Sequence, residues 1–535
     1  MSDGPRPQSV PRVVSFLVNG SSVELVDNGD SLLDVLRDEL GLIGTKDGCS
    51  PQGQCGCCTV LVDGEPRVAC VTPARRVAGR AVVTIEGLAP EDRAQWGSAL
   101  CRTGGSQCGF CTPGIIMRLE SLTLRHEAAT AESVRQALLA HLCRCTGWQT
   151  IIEAWEDREV TRHHARGMPE PDSGRDLEAA AERARLEGHA VQRIAPEVGL
   201  GHGGFAADTA PAGSLRAVVD ESGRWFVAET LAEARRRAGK TQGRRTTADH
   251  VWPLQVPDGD WAATLRTTWV EPAYLETDAS WCEPGGEPSS PLANGGGFGA
   301  KQRKGAPWSP VMEAARLLAD EHGRAVLAVA SREDTVRWGP KRPPVAGGVR
   351  ADGTGVLRIC STPGVAATIA LVAPGLVVEE VDVVGPATSN DLRGAGWVEA
   401  LVLLSGASDE VGIVTAPNGA RAWAEVTPTS IRVGVRCGRT LDHAVLRSYC
   451  VGASHMAYSW VTSEALSVDG DGEVHDLTIR SFGVLRAVDT PEIEIVVEPD
   501  DGPPINGSDA VFAAVAAATW RASGRPTEWP VGLLP

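Results

Sequence analysis

An apolar run at residues 13–18, VVSFLV, is followed by Asn19-Gly20 and then by SVELV, a pattern that predicts two strands joined by a tight hairpin. The period then lengthens. In DSLLDVLRDEL, Leu32, Leu33, Leu36 and Leu40 fall on one helical face, with Asp30 or Ser31 placed to cap it. CTVLVDG, PRVAC and AVVTIEG return to the strand pattern as a second hairpin and a closing strand. Between 91 and 160 the spacing is helical: TPGIIMRLESLTLRH carries Pro113 in its first turn, AESVRQALLAHL is amphipathic, and WQTIIEAWEDR follows. Residues 161–190 are charged around a Pro- and Gly-bearing centre and read as a linker passing into a helix. From 191 to 535 the chain is rich in strands and glycine, with helices expected near VAETLAEARRRA, APWSPVMEAARLLADEHG and SDAVFAAVAAATWRA. An internal boundary is expected near 340–390.

Strand pair, helix, irregular loop and more strands is the order of a β-grasp ferredoxin. The expected fold class is therefore α+β and multidomain: a ferredoxin-like domain at 13–90, a helical domain at 91–160, the linker, and a mixed α/β region from 191 to 535. At 535 residues the chain exceeds one ordinary domain. Its formal charge of -17 argues against a nucleic-acid partner, because phosphate backbones reward clustered Lys and Arg. MSDGPRPQSVPR has no apolar h-region and no run of about 18 apolar residues follows, so a cytoplasmic protein without a membrane span is expected.

Ten of the fourteen cysteines lie in the first 145 residues. In a cytoplasmic chain that density argues for metal sites rather than disulfides. A [2Fe–2S] cluster takes four thiolates, and the plant-type loop spaces them C-x4-C-x2-C with a distant fourth. Here Cys49, Cys55 and Cys58 give C-x5-C-x2-C, and Cys70 supplies the fourth ligand after the next hairpin. Gly48, Gly53 and Gly56 let the backbone pass close to an inorganic core, and Gly53 is placed to absorb the extra residue. The adjoining Cys57 leaves open which thiol binds. A second set, Cys108-x2-Cys111 with Cys143-x1-Cys145, falls at helix ends, where the positive end of a helix dipole favours an anionic cluster. Structural zinc, which also takes four thiolates at paired spacings, is the rival reading. Cys57 and Cys101 read as small buried apolar residues; Cys282, Cys360, Cys437 and Cys450, scattered singly, read as core.

Residues 13–155 closely resemble the iron–sulfur part of the xanthine dehydrogenase family, the molybdenum hydroxylases, through GCSPQGQCGCC, QCGFCTPG and CRCTGW. The resemblance implies two [2Fe–2S] clusters, the helical-domain one nearer a molybdenum cofactor and the ferredoxin-like one nearer the next acceptor. It also implies that Gln107 faces the pterin; the plain alternative is a hydrogen bonder at a helix end. The region from 191 to 535 resembles the family's molybdopterin-binding part, shortened. FAADTAPAGSLRAVV, RTTWVEPAYLETDA and SREDTVRWGPKRPP carry that resemblance in order. So does NGGGFGAKQ, residues 294–302, whose Gly296, Gly297, Phe298 and Gly299 match the Gly-rich loop that approaches the cofactor. In LRGAG, Arg393 matches a position near the substrate of family members, with a solvated or core-capping arginine as the alternative.

Three departures count against a molybdenum–molybdopterin cofactor in this chain. The segment with a cofactor-binding Gln ahead of the Gly-rich loop is missing, and no Gly-Gln-Gly loop is found. Where the family carries a glutamate base before a Pro pair, this chain has Gly502, with Glu498, Asp500 and Asp501 nearby as a surface acidic loop. Catalytic residues are therefore unassigned. No G-x-G-x-x-G stands between a strand and a helix, so no FAD is expected in this chain. Shortening a two-domain fold leaves apolar faces to be covered. A hetero-oligomer is expected, with a flavin subunit and a full-length molybdenum subunit acting on a small molecule. Purines, other N-heterocycles, aldehydes and carbon monoxide are equally compatible substrates. The other readings are an electron-transfer or scaffold subunit with a degenerate molybdenum half, and a ferredoxin-like domain fused to an unrelated binding domain.

Overall fold

The computed structural model describes residues 13–125, 130–163, 175–239, 246–289, 296–301, 309–408 and 412–535. Of the Gly-rich run, Asn294, Gly295 and Gln302 lie outside the described residues, as do 164–174 of the linker.

The N-terminal sheet has the order β2-β1-β5-β3-β4 once its strands are placed as β1 (Val13–Val18), β2 (Ser21–Val26), β3 (Thr59–Val62), β4 (Glu65–Val68) and β5 (Ala81–Val83). Asn19 and Gly20 take positive φ (51° and 83°), as the tight turn between β1 and β2 requires. Helix α1 (Leu32–Asp34) is boxed by Ser31, whose hydroxyl accepts from the Asp34 amide while the Asp34 carboxylate accepts from the Ser31 amide. It runs on into one wider turn, Val35–Glu39. With that turn Val35 joins Leu32, Leu33 and Leu36 against Val14 and Phe16, and Leu40 is left half-buried.

Four helices follow: α2 (Pro90–Thr103), α3 (Thr112–Leu124), α4 (Ala131–Ala137) and α5 (Gln149–His163). Helices α2 and α5 pack through Trp96 and Trp155, whose rings stand 6.0 Å apart. Next come α6 (Leu177–Gly188), α7 (Pro196–Gly199) and α8 (Ala206–Thr209).

The larger half continues with β6 (Leu215–Val219), β7 (Trp225–Ala228), α9 (Leu231–Arg237), β8 (Ala263–Arg266), β9 (Ala279–Cys282), α10 (Pro310–His322) and β10 (Val326–Val329). Then come α11 (Arg332–Trp338), β11 (Val345–Val349), β12 (Gly355–Cys360), α12 (Val365–Val372), β13 (Leu376–Val381) and α13 (Trp397–Ser405). Last are β14 (Val414–Thr415), β15 (Arg421–Val426), β16 (Ser430–Arg436), α14 (His443–Thr462), β17 (Glu492–Val497) and α15 (Ser508–Ala522). The strands form three four-stranded sheets: β7-β6-β10-β9, β13-β12-β11-β8 and β14-β15-β16-β17. Residues 340–390, where the sequence pattern sets a boundary, hold three strands of a single sheet. Among the described residues no helix is long and apolar enough to cross a membrane. Helix α14, buried along nearly its whole length, packs on α15 at the centre of the largest apolar core.

The two halves are locked by charges that leave water together. Asp208 of α8 pairs with both Lys46 and Arg37 of the ferredoxin-like part. The fully buried Arg332 guanidinium donates to the carbonyls of Gly48 (2.7 Å), Tyr274 (2.8 Å) and Leu275 (2.6 Å). Gly48 directly precedes the first cysteine, so the larger half buttresses that loop.

Candidate metal centre

The loop from Cys49 to Cys58 wraps inward because its glycines permit it. Gly53 (φ 67°) and Gly56 (φ 77°) are left-handed, and a β-carbon on Gly48 would come within 3.0–3.2 Å of the Phe110 ring and the Cys55 sulfur, tight enough that they would have to give. Cys49, Cys55, Cys58 and Cys70 all end up buried. The Cys49 Sγ accepts from the amides of Gln54 and Cys55, each at 3.3 Å, and the Cys58 Sγ accepts from the Cys70 amide at 3.5 Å. Thiol contacts join Cys49 to Cys55 and Cys70, and Cys58 to Cys70. The hydrogen bond from Cys55 and then that from Cys70 hold Cys49 well below the usual thiol range, while Cys55 and Cys70 are pushed up.

The second set is built at helix ends. Cys111 is the residue before α3, and Cys143 and Cys145 lie in the break before α5. The Cys108 and Cys145 sulfurs are 3.5 Å apart, and Cys111 meets Cys143. Cys143 is lowered to about 6, first by its hydrogen bond from Cys111, then against burial by Thr146, whose hydroxyl lies 3.1 Å away.

No disulfide joins any two of the fourteen cysteines. Among the described residues no three His, Cys, Asp or Glu side chains converge on one ion position. In the second set the thiols pair two by two, Cys108 with Cys145 and Cys111 with Cys143; in the first, Cys49 meets both Cys55 and Cys70, and Cys58 meets Cys70. A tetrahedral zinc needs four ligands around one point, whereas a two-iron cluster held by four thiolates needs two at each end. Paired sulfurs in the second set, amides pointing at sulfur in the first, and one thiol of each set driven toward thiolate fit the latter.

The sets lie back to back. The Leu142 amide donates to the Cys55 carbonyl at 3.0 Å. The His141 ring packs on Gly56 with its Nε2 3.1 Å from the Thr59 hydroxyl, and burial keeps it neutral, its pKa lowered to about 3. Cys57 is fully buried beside Cys55, close enough to feel charge on Cys49, Cys58 and Cys108.

The residues expected at a molybdenum cofactor do come together, but around each other. Gln107 donates to the Cys145 carbonyl (3.0 Å) and the Ser448 hydroxyl (2.9 Å), and its Oε1 is buried with no donor among the described residues. Gly296 (φ 96°) is pressed on Arg144 and Cys145, and Gly299 (φ 99°) on the Asp391 carbonyl. The Phe298 ring lies 3.8 Å beneath the Arg393 guanidinium and edge-on to Tyr449. Arg393 is buried against Asp509 and Ser508, the core-capping alternative. Gly452 of α14 abuts the Cys145 carbonyl with no room for a side chain. Arg144 pairs with Glu464, Arg342 with Glu399, and Lys341 with Glu271. None of these partnerships is visible in sequence, since the members lie far apart and each reads alone as a surface charge. What remains between Arg144, Gly296, Phe298, Arg393 and Trp460 is a cavity of about 40 Å³. A ligand of cofactor size needs roughly 300 Å³ or more. Among the described residues the orphan Gln107 oxygen alone would suit a pterin; the cavity volume does not, and molybdopterin does not fit between them. At the third departure, Glu498 accepts from the Trp423 indole, and Asp500 from the amides of Gly438 and Gly502, while Asp501 is exposed.

Two family models match this chain: a 2Fe-2S iron-sulfur cluster binding domain at residues 16–80 and a [2Fe-2S] binding domain at 84–156. Caffeine dehydrogenase subunit gamma of Pseudomonas sp. (strain CBB1) is 42% identical over 147 residues, 26% of this chain and 87% of that protein. A probable subunit of xanthine dehydrogenase from Bacillus subtilis (strain 168) is 38% identical over 138 residues, 26% of this chain and 79% of that protein. The solved aldehyde oxidoreductase from Desulfovibrio gigas shares the fold across 98% of this chain and 99% of its own, with a TM-score of 0.69 and 16% identity.

Proposed function

The chain belongs to the xanthine dehydrogenase and aldehyde oxidoreductase family, and from that premise we propose that it is the iron–sulfur electron-transfer component of a molybdenum hydroxylase whose catalytic molybdenum sits on another chain. Cys49, Cys55, Cys58 and Cys70 hold one [2Fe–2S] cluster, and Cys108, Cys111, Cys143 and Cys145 hold the other. Each cluster, when bound, stores one electron at a time. The protein keeps the thiolates dry, aims amides at their sulfurs and fixes the two loops against each other. Hydrogen bonds to sulfur and exclusion of solvent are the levers by which a protein tunes such a centre. Electrons from substrate oxidation enter at the second set and leave from the first to a flavin or other acceptor on a separate subunit. The caffeine dehydrogenase and xanthine dehydrogenase relatives are themselves named as subunits, which supports a hetero-oligomer. A cytoplasmic setting agrees with thiols held out of disulfides.

The gathering of four buried thiols in each of the two sets carries this reading. Anaerobically purified chain should hold about four iron and as much acid-labile sulfide, with two EPR signals on reduction. Cys108→Ser should remove one signal and Cys57→Ser neither. Zinc in place of iron, or one signal in the wild type, would contradict it.

A further inference from the structure

Helix α6 is charged on the face it buries. Ala180 and Ala184 on that face are ordinary core residues, but Arg183 and Glu187 beside them are also fully buried. Taking two charges out of water costs several kcal/mol each unless every donor and acceptor is met, and here they are met by backbone. Arg183 donates to the carbonyls of Thr440 (3.0 Å), Ile505 (2.8 Å) and Arg439, and pairs with Glu187 at 2.9 Å. The Glu187 carboxylate accepts from the amides of Gly507 (3.1 Å) and Ser508 (2.8 Å).

Those two amides open α15, a 15-residue helix. Unpaired N–H groups and the helix dipole make such an end a place for an anion. Arg393 stands beside it, donating to Ser508 and Asp509 and to the Glu187 carbonyl, with its Nη1 buried and without an acceptor among the described residues. The anion position is thus real and already filled, by a carboxylate from the segment that joins the two halves. From Arg393 the packing passes directly to Phe298 and the Gly-rich loop.

We infer that α6 is a built-in plug: the Glu187 carboxylate occupies the anion position at the start of α15 and, with Arg183, Arg393 and Phe298, seals this half of the chain against molybdopterin. The inference rests on the electron-transfer reading above and says why catalysis belongs to another chain.

The test uses the full-length chain with Glu187→Ala and Glu187→Gln. Inorganic phosphate is titrated at constant ionic strength while melting is followed by far-UV circular dichroism. The vacated position in Glu187→Ala should take phosphate, raising its melting temperature by several degrees more than that of the wild type. Glu187→Gln, which keeps the space filled, should respond like the wild type. Equal responses in all three would overturn the anion position. Should Glu187→Ala fail to fold, the wild type decides: expressed in a molybdenum-replete host, it should carry neither molybdenum nor pterin, and an equivalent of both would overturn the plug. Iron is counted in the same sample, so loss of iron sinks the two-cluster reading without touching this result.

Discussion

The amide of Leu142 donates to the carbonyl of Cys55 across 3.0 Å, so the two cysteine loops are hydrogen-bonded main chain to main chain. Gly114, in the first turn of α3, completes that approach: a β-carbon there would collide with the carbonyls of Gly56 and Cys57. Gly114→Ala should force the loops apart, at a stability cost of about 1–3 kcal/mol typical of overpacking. The magnetic interaction between the two reduced centres should weaken in the EPR spectrum. If melting and spectra are both unchanged, the contact does not set the separation.

Thr146 offers a lighter touch. Its hydroxyl, 3.1 Å from the Cys143 sulfur, helps hold that thiol toward thiolate. Thr146→Val keeps the shape and removes the donor. A hydrogen bond contributes about 0.5–1.5 kcal/mol net, which for a one-electron couple is roughly 20–65 mV. The potential of the second centre should fall by that order in an EPR-monitored titration, with the first centre unmoved. A rise, or an equal change in both, would reject the assignment.

How much of this was legible beforehand depends on the distance between the residues involved. Cys49 to Cys70 and Cys108 to Cys145 are written as spacings within one stretch, and the strand–helix order around them is set by local periodicity. Arg332 on Gly48, Arg144 on Glu464 and Glu187 on Ser508 join positions about 280 to 320 residues apart, and no period or motif ties them together. The Gly-rich run shows the other limit. Its glycines do permit close approach, but to Cys145 and the Asp391 carbonyl, and only the folded chain says which partner uses the space.

His189 brings a pH dependence. The charge of Asp509, 2.9 Å away, raises the imidazole pKa against desolvation, and the imidazole in turn helps lower Asp509. A raised folded-state pKa means the charged form stabilises the fold fully below the unfolded value of about 6.5, and that contribution is lost as pH rises through the folded value. His189→Gln should therefore lower the melting temperature more at pH 6 than at pH 9. A gap that widens toward alkaline pH would contradict the pairing.

Arg158 is fully buried against Glu120 and Asp92, with its guanidinium 4.7 Å over the Trp96 ring, and Glu120 also accepts from the Trp96 indole. Arg158→Met strands Glu120 in the helical core, and breaking a buried pair on one side costs about 3–5 kcal/mol. Adding Glu120→Gln should recover much of that in chemical denaturation. A double variant no more stable than the single one would show that the arginine acts by packing alone.

Arg144 lies between Cys143 and Cys145 of the second set and is held bidentately by Glu464 at 2.6 and 2.7 Å, both side chains nearly or wholly buried. Glu464→Gln keeps the shape but leaves the guanidinium beside the second centre without its counter-charge. A positive charge favours the more reduced, more negative state of a neighbouring cluster, and it acts strongly where water is excluded. The potential of the second centre should rise, by more than any change at the first. Stability should fall as well, since one member of a buried pair is removed. Stability alone cannot separate a tuning role from a merely structural one, but the direction of the potential can. Replacing Arg144 as well, in Arg144→Gln with Glu464→Gln, restores local neutrality and should return the potential toward the wild-type value. If the single variant lowers the potential, or the double variant leaves it as high as the single, the Arg144–Glu464 pair does not tune this centre.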